Sequence, residues 1–328
     1  MIFSETKWDK AKEIRAFVPV GAALSFDKME APLGNAQDMF LLPILGDSMI
    51  AKLQEIYDQD TERNEKDKKF LFLAQTAVAN IAFWYDFDAL NLRITDQGFQ
   101  RQQSDSFPGA YKYQEDHLCI TFKNKGFNAI DQLLFFLEDH VSDYEEFKSS
   151  PGYTIRENSI VRNTEEVNRI VFINASRIIF MRMQNIFHNI EENELQPVLG
   201  ETLYSKLREW LSDSSKFELT TTTLEKFRSR CAAFVIMKAA ARLISETGTL
   251  TDRGLYFTTV GAGPSGNEVK QPATTDDIAW RVKVAENDAE MYKTTLIRFI
   301  SLYMTAYESG NSQHALDRDN TDKSTFFA

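Results

Sequence analysis

Along most of the chain, apolar residues recur every three or four positions, the period of an amphipathic helix. Met49, Leu53 and Ile56 share one helical face, and Leu203, Leu207 and Trp210 or Leu211 share another. Two longer stretches are apolar around much of their circumference. The first runs through Phe70, Leu71, Leu73, Ala74, Ala77, Val78, Ile81, Trp84 and Tyr85; the second runs from Phe227 through Cys231, Phe234, Val235 and Met237 to Ile244. Helices of that kind belong at the centre of a bundle. Leu133, Phe136 and Leu137 predict a closing helix for the first half, and Leu296, Phe299 and Ile300 one for the second.

Other stretches depart from the helical period. Residues 1–13 read as a short helix or arm anchored by Trp8. Residues 14–20, with Pro19 near their end, and residues 169–174 read as extended, because proline suits an extended segment better than a helix interior. His117 through Phe122 resembles a short strand. Ser25 and Ser176 stand as N-caps for the helices that follow, and Pro32 predicts a kink in the first of them. Thr222-Thr223-Leu224-Glu225 has the form of a capping box.

The pattern then repeats. Leu41-Leu42-Pro43-Ile44-Leu45-Gly46-Asp47-Ser48-Met49 returns as Leu195-Gln196-Pro197-Val198-Leu199-Gly200-Glu201-Thr202-Leu203. Each copy reads as a corner between helices. Pro43 and Pro197 end one helix, Gly46 and Gly200 let the backbone turn, and Asp47-Ser48 or Glu201-Thr202 offer acceptors to the first turn of the next. A second signature follows at nearly the same offset: Ile94-Thr95-Asp96-Gln97-Gly98 matches Leu250-Thr251-Asp252-Arg253-Gly254. It reads as a turn in which Asp bonds the backbone ahead and Gly tolerates positive φ. The expected fold is mainly α, with two tandem helical-bundle repeats, short extended segments and loop arms. Residues 1–148 form the first repeat, 149–164 a linker around Ser149-Ser150-Pro151-Gly152, 165–308 the second repeat and 309–328 a tail read as disordered.

Charge narrows the function. With 37 basic and 48 acidic residues and a net charge of −11, the chain lacks the basic footprint of a nucleic-acid-binding surface. It leaves open a lumen through which DNA slides, since the wall of such a lumen must not hold phosphate. No signal peptide is read at the N-terminus, and no apolar run is long enough to span a bilayer. Cys119 and Cys231 have no metal-type spacing and read as packed thiols of a reducing compartment. No pair among His117, His140, His188 and His314 has metal-ligand spacing on one helix face. Gly261 through Gly266 lacks the Lys and Ser/Thr of a phosphate loop, and Asn174-Ala175-Ser176 reads as a helix start. No catalytic, metal-binding or cofactor-binding residue is expected, and the chain is not expected to be an enzyme.

The corner residues Pro43, Leu45, Gly46 and Leu53 with Pro197, Leu199, Gly200 and Leu207 carry a resemblance, together with the turns Thr95, Asp96, Gly98 and Thr251, Asp252, Gly254. The pattern resembles a family from phages and prophages of Bacteroides-type bacteria, related to the helical head–tail connector (adaptor) proteins of tailed phages. It covers most of both halves. The resemblance implies a structural virion protein that forms a ring under the portal, docks by arms and C-terminal tails, and is assembled in the bacterial cytoplasm. Its implied partners are further copies of itself and the portal and tail proteins, with no sequence-specific nucleic acid and no membrane. Simple adaptors carry one unit, whereas this chain carries two. The rival reading is a non-viral helical scaffold or interaction protein of gut bacteria, in the cytoplasm. The tail ends in Phe326-Phe327, which either docks in a neighbour's groove or belongs to a solvated terminus with no role.

Overall fold

The structure is a computed structural model. It describes residues 1–59, 62–95, 98–101, 111–154, 159–217, 219–247, 256–259, 269–272 and 274–304. The chain divides into two compact units, one of residues 1–157 with 176–181 and one of residues 158–175 with 182–328.

The first unit begins with α1 (Glu5–Trp8), α2 (Lys12–Arg15) and α3 (Glu30–Ala36). Trp8 anchors this arm: it is buried, and its Nε1 donates to the Leu24 carbonyl at 2.8 Å. A π-helical turn, Gln37–Leu41, leads into α4 (Leu42–Asp58), followed by the central helix α5 (Glu65–Tyr85). The N–H of Asp67 donates to the Asn64 side chain at 2.7 Å, which caps α5. Then come α6 (Phe87–Asn91), the antiparallel hairpin β1 (Leu92–Thr95) with β2 (Gly98–Arg101), the closing helix α7 (Lys112–Asp139) and α8 (Pro151–Thr154). α5 lies along α7. Phe70, Ala74, Ala77, Val78 and Ile81 of α5 are buried with Ile130, Leu133, Leu134 and Leu137 of α7, and Met49, Leu53 and Ile56 of α4 join the same core. The two helices approach closely at Gly126, where an added Cβ would stand 2.6 Å from Ile81 Cγ1.

The second unit follows the same plan. After α9 (Thr164–Ile170) come α10 (Arg177–Ile190), whose residues 177–181 belong to the first unit, a second π-helical turn (Glu191–Leu195), α11 (Gln196–Leu199) and α12 (Glu201–Ser212). The central helix is α13 (Thr221–Thr247), followed by the hairpin β3 (Tyr256–Thr259) with β4 (Val269–Pro272) and the closing helix α14 (Thr275–Tyr303). α13 lies along α14, with Met237 and Ala241 meeting Ala285 and Ala289. Leu203, Leu207 and Trp210 are buried, as are Leu296, Phe299 and Ile300. The fold is therefore mainly α and tandemly repeated, as the periodicity predicts.

Local expectations fare unevenly. Ser176 is an N-cap: its Oγ accepts from the Ile179 N–H at 3.3 Å and donates to Asp131 Oδ2 at 2.9 Å. Ser25 is not one. It is exposed and lies well ahead of α3, whose N-cap position belongs to Met29. Pro32 occupies the first turn of α3, where an N–H has no intrahelical partner, so no kink is required. Residues 14–20 are not extended. The N–H groups of Phe17 and Val18 bond back to the Ile14 carbonyl at 2.9 and 3.0 Å, which folds the segment over and buries Ile14 and Val18. Likewise residues 169–170 end α9, and only a short extended stretch begins at Val171.

Residues 117–122 are helix, inside α7. Packing overrides their strand propensity: Phe122 lies on Phe83 and Phe87, with ring centroids 5.4 and 6.5 Å apart. The capping box at Thr222 does not form. Thr220 caps α13 instead, accepting from the Thr223 N–H at 3.3 Å, and Glu225 is drawn to Arg162 and Arg228, each at 3.1 Å. The segment Ser149–Gly152, expected within a linker, is packed: Ser150 and Gly152 are buried, and a Cβ on Gly152 would lie 2.9 Å from the Ile44 carbonyl oxygen.

Candidate functional site

The corner has the same backbone plan in both units. Five π-helical residues precede each proline-bearing turn, Gln37–Leu41 before Pro43 and Glu191–Leu195 before Pro197. A proline lacks the N–H its helix needs and crowds the carbonyl four residues back; a π turn loosens the ladder at that point. Pro43 and Pro197 therefore do not end a helix, contrary to the reading from sequence. The break falls at the glycines, Gly46 at φ 74° and ψ 165° and Gly200 at φ 74° and ψ 155°. Leu45 and Leu199, just before them, are buried. The first Thr-Asp-x-Gly turn closes a hairpin, with Thr95 paired to Gly98. Asp96 lies outside the described residues, as do Thr251, Asp252, Gly254, the glycine cluster 261–266 and the tail with Phe326 and Phe327.

Beside each corner sits a polar clamp that sequence reading missed. In the second unit the first residue of the π turn, Glu191, accepts from the Ile160 N–H at 3.1 Å, while Arg228 of α13 donates to the Ile160 carbonyl at 2.8 Å. One peptide segment ahead of the bundle is thus held at both its donor and its acceptor. Glu191 also accepts from Arg208 at 3.2 Å. Arg228 is paired with Glu166 at 2.9 and 3.0 Å and with Glu225 at 3.1 Å. Burial raises the Glu191 carboxyl above the ordinary glutamate value, against the pull of the Ile160 N–H and Arg208. For Glu225 burial also pushes upward, but Arg228 and Arg162 outweigh it and the net shift is down.

The first unit holds the corresponding segment with neutral groups. Gln37, first residue of its π turn, accepts from the Ile2 N–H at 3.1 Å, and Gln75 of α5 donates to the Ile2 carbonyl at 2.8 Å. The Tyr57 hydroxyl donates to Glu13 at 2.7 Å. Burial raises the Glu13 carboxyl, with Tyr57 acting against it.

A second exchange of chemistry ties each π turn to the bundle. In the first unit it is aromatic: the Phe40 ring lies 5.8 Å from Trp84 and 6.0 Å from Phe127, which are themselves 5.4 Å apart. In the second it is ionic: Lys238 bridges Glu194 at 3.2 Å and Glu286 at 2.6 Å. A glutamine inside the apolar run of α5 and an arginine inside that of α13 were the available signals, because polar groups buried on a central helix need partners. The Cys231 thiol lies within electrostatic reach of Glu191 and Arg228. Cys231 is buried, burial raises the thiols of both Cys231 and Cys119, and both are free. Among the described residues no group of three or more His, Cys, Asp or Glu could hold a metal ion, and no helix is long and apolar enough to cross a membrane.

Two units sharing a π turn, a glycine break, a clamped leading segment, a central helix, a hairpin and a closing helix define a tandem duplicate of one helical-bundle module. The chain belongs to the Family of unknown function (DUF6712), which matches it twice, over residues 41–157 and again over 195–315. No curated protein and no solved structure matches the chain. Each match begins at the last residue of a π turn, whereas the clamps carry the likeness upstream to Ile2 and Ile160.

Proposed function

We propose that the chain is a structural, assembly-forming protein of the phage head–tail connector class, joining portal to tail as a ring of copies in the virion. The resemblance of its corner and turn motifs to adaptor proteins motivates the reading, and the duplicated module fits a scaffold. The observation that carries it is a stripe on α14. Trp280, Met291 and Leu302 are each more than 60% exposed (63, 65 and 63%). They recur about three helical turns apart, so they lie on one face. Val284 falls on the same stripe and is exposed too. Exposed apolar side chains set at a regular interval along one helical face, with polar residues between them, offer spaced anchor points for a neighbouring surface. Burying each such side chain against another copy is worth about 2 kcal/mol before ordering costs.

Electron microscopy of the purified protein, alone and with its portal, tests the reading. Ring-shaped particles that stack on the portal support it. A chain that stays monomeric and never associates with portal contradicts it and favours the non-viral scaffold.

A further inference from the structure

The closing helices of the two units begin in the same way. The cap of α7 is Tyr111 and that of α14 is Thr274. The first buried residue is Phe122 in α7 and Ala285 in α14, and no described side chain ahead of it in either helix is buried. About three turns of helix that bury nothing are marginal in water, because short helices hold through the packing of one face. On α7 this stretch carries Tyr113, 66% exposed, and Ile120, 54% exposed. They stand seven residues apart and so share a face. Tyr111 extends that face, its ring stacked on Tyr113 with centroids 5.8 Å apart.

This face and the α14 stripe are not copies of one another. Leu133, Phe136 and Leu137 of α7 correspond to Leu296, Phe299 and Ile300 of α14. Along the same offset, Tyr113 and Ile120 fall on Asp276 and Lys283, while Trp280, Val284 and Met291 fall on His117, Thr121 and Asn128. Each closing helix is apolar where the other is polar. A closed ring needs a head-to-tail contact, in which a patch on one copy meets a different patch on the next; a patch that meets itself stops at a dimer. The α14 stripe therefore requires a distinct apolar face as its complement, and the start of α7 has one. Charge points the same way. Asp116 stands three residues after Tyr113, Lys283 stands three residues after Trp280, and both are exposed. Each flanks its stripe on the same side, and same-side flanks face each other when two helices pack antiparallel.

We propose that the first turns of α7 in one copy dock antiparallel on the Trp280–Val284 end of the α14 stripe in the next copy, with Asp116 against Lys283. This rests on the reading of the chain as a ring-forming protein, and it names the two surfaces that meet at each contact. Tyr113 and Trp280 are the aromatic anchors, with large rings that bury much area at little cost in side-chain freedom. The Asp116–Lys283 pair sets the direction in which the helices run.

Sedimentation velocity of full-chain variants, alone and mixed, tests it. Ile120→Glu spoils the α7 face and leaves α14 intact; Trp280→Glu does the reverse. Each alone is expected to be monomeric, with the helical content of the wild type by circular dichroism. Mixed in equal amounts, the two are expected to form a heterodimer that grows no further, because one intact α7 face and one intact α14 face remain between them. Asp116→Lys is expected to weaken assembly about tenfold, and adding Lys283→Asp to restore it, which keeps the test decisive should a glutamate variant fail to fold. Assembly of the wild type with equal assembly of Ile120→Glu overturns the contact and leaves the ring reading standing. A mixture of the two variants that stays monomeric, or a charge swap that restores nothing, also overturns the contact alone. A wild type that remains monomeric overturns both.

Discussion

Gln75 and Arg228 do one task with different chemistry, and that difference sets what each substitution costs. Both hold the carbonyl of a leading segment, but Arg228 also neutralises Glu166, whose side chain is 10% exposed. Removing one partner of a buried ion pair leaves an uncompensated charge and costs about 3–5 kcal/mol. Removing a neutral donor costs about 1–3 kcal/mol. Arg228→Met should therefore lower stability more than Gln75→Met, as read by denaturant unfolding; equal losses would contradict the ionic account. Gly46 and Gly200 provide the second comparison at this scale. Both sit at φ 74°, where a side chain is strained by about 1–3 kcal/mol. A Cβ at Gly46 would also meet Pro151 Cδ at 3.2 Å, while nothing lies within 4 Å of one at Gly200. Alanine should destabilise at both positions and more at Gly46, with melting curves as the readout. The glycines were legible in the sequence because their role is carried by residue identity. The clamp was not, because Gln37 and Glu191, or Gln75 and Arg228, match in position and task but not in residue type.

At the scale of elements, long periodic helices were legible and their junctions were not. α5, α13, α7 and α14 follow from apolar spacing, since each buries most of the residues the pattern marks, although Tyr85 at the end of α5 is exposed. The π turns left no mark of their own: Gln37–Leu41 reads as ordinary helix, and the proline after it reads as a stop. The misread strand at 117–122 fails for a related reason. Its β-branched and aromatic residues favour a strand locally, but Phe122, Ile130, Leu133 and Leu137 line the face of α7 that is buried in the core of the first unit. That face tolerates little change at Gly126. Gly126→Ala would press a methyl onto Ile81, and overpacking of this kind costs about 1–3 kcal/mol. The cost should shrink in an Ile81→Ala background, measured as a double-mutant cycle; strictly additive losses would mean that the two helices do not meet there.

For the whole molecule, duplication was visible as two copies of Pro-x-Leu-Gly, and the family match repeats at the same places. Its full extent was hidden, because the leading segments share almost no residues while their peptide groups are held alike. A module copied in tandem and fitted with an exposed apolar stripe on its last described helix is suited to assembly. Sedimentation velocity over a range of protein concentration is the most direct test of that claim. The account predicts that the wild type forms a discrete, closed oligomer. It also predicts that Met291→Glu, which sets a charge in the middle of the α14 stripe, shifts the protein to monomers that keep the wild type's helical content by circular dichroism. A wild type that remains monomeric throughout, or a Met291→Glu variant that assembles equally well, would contradict it.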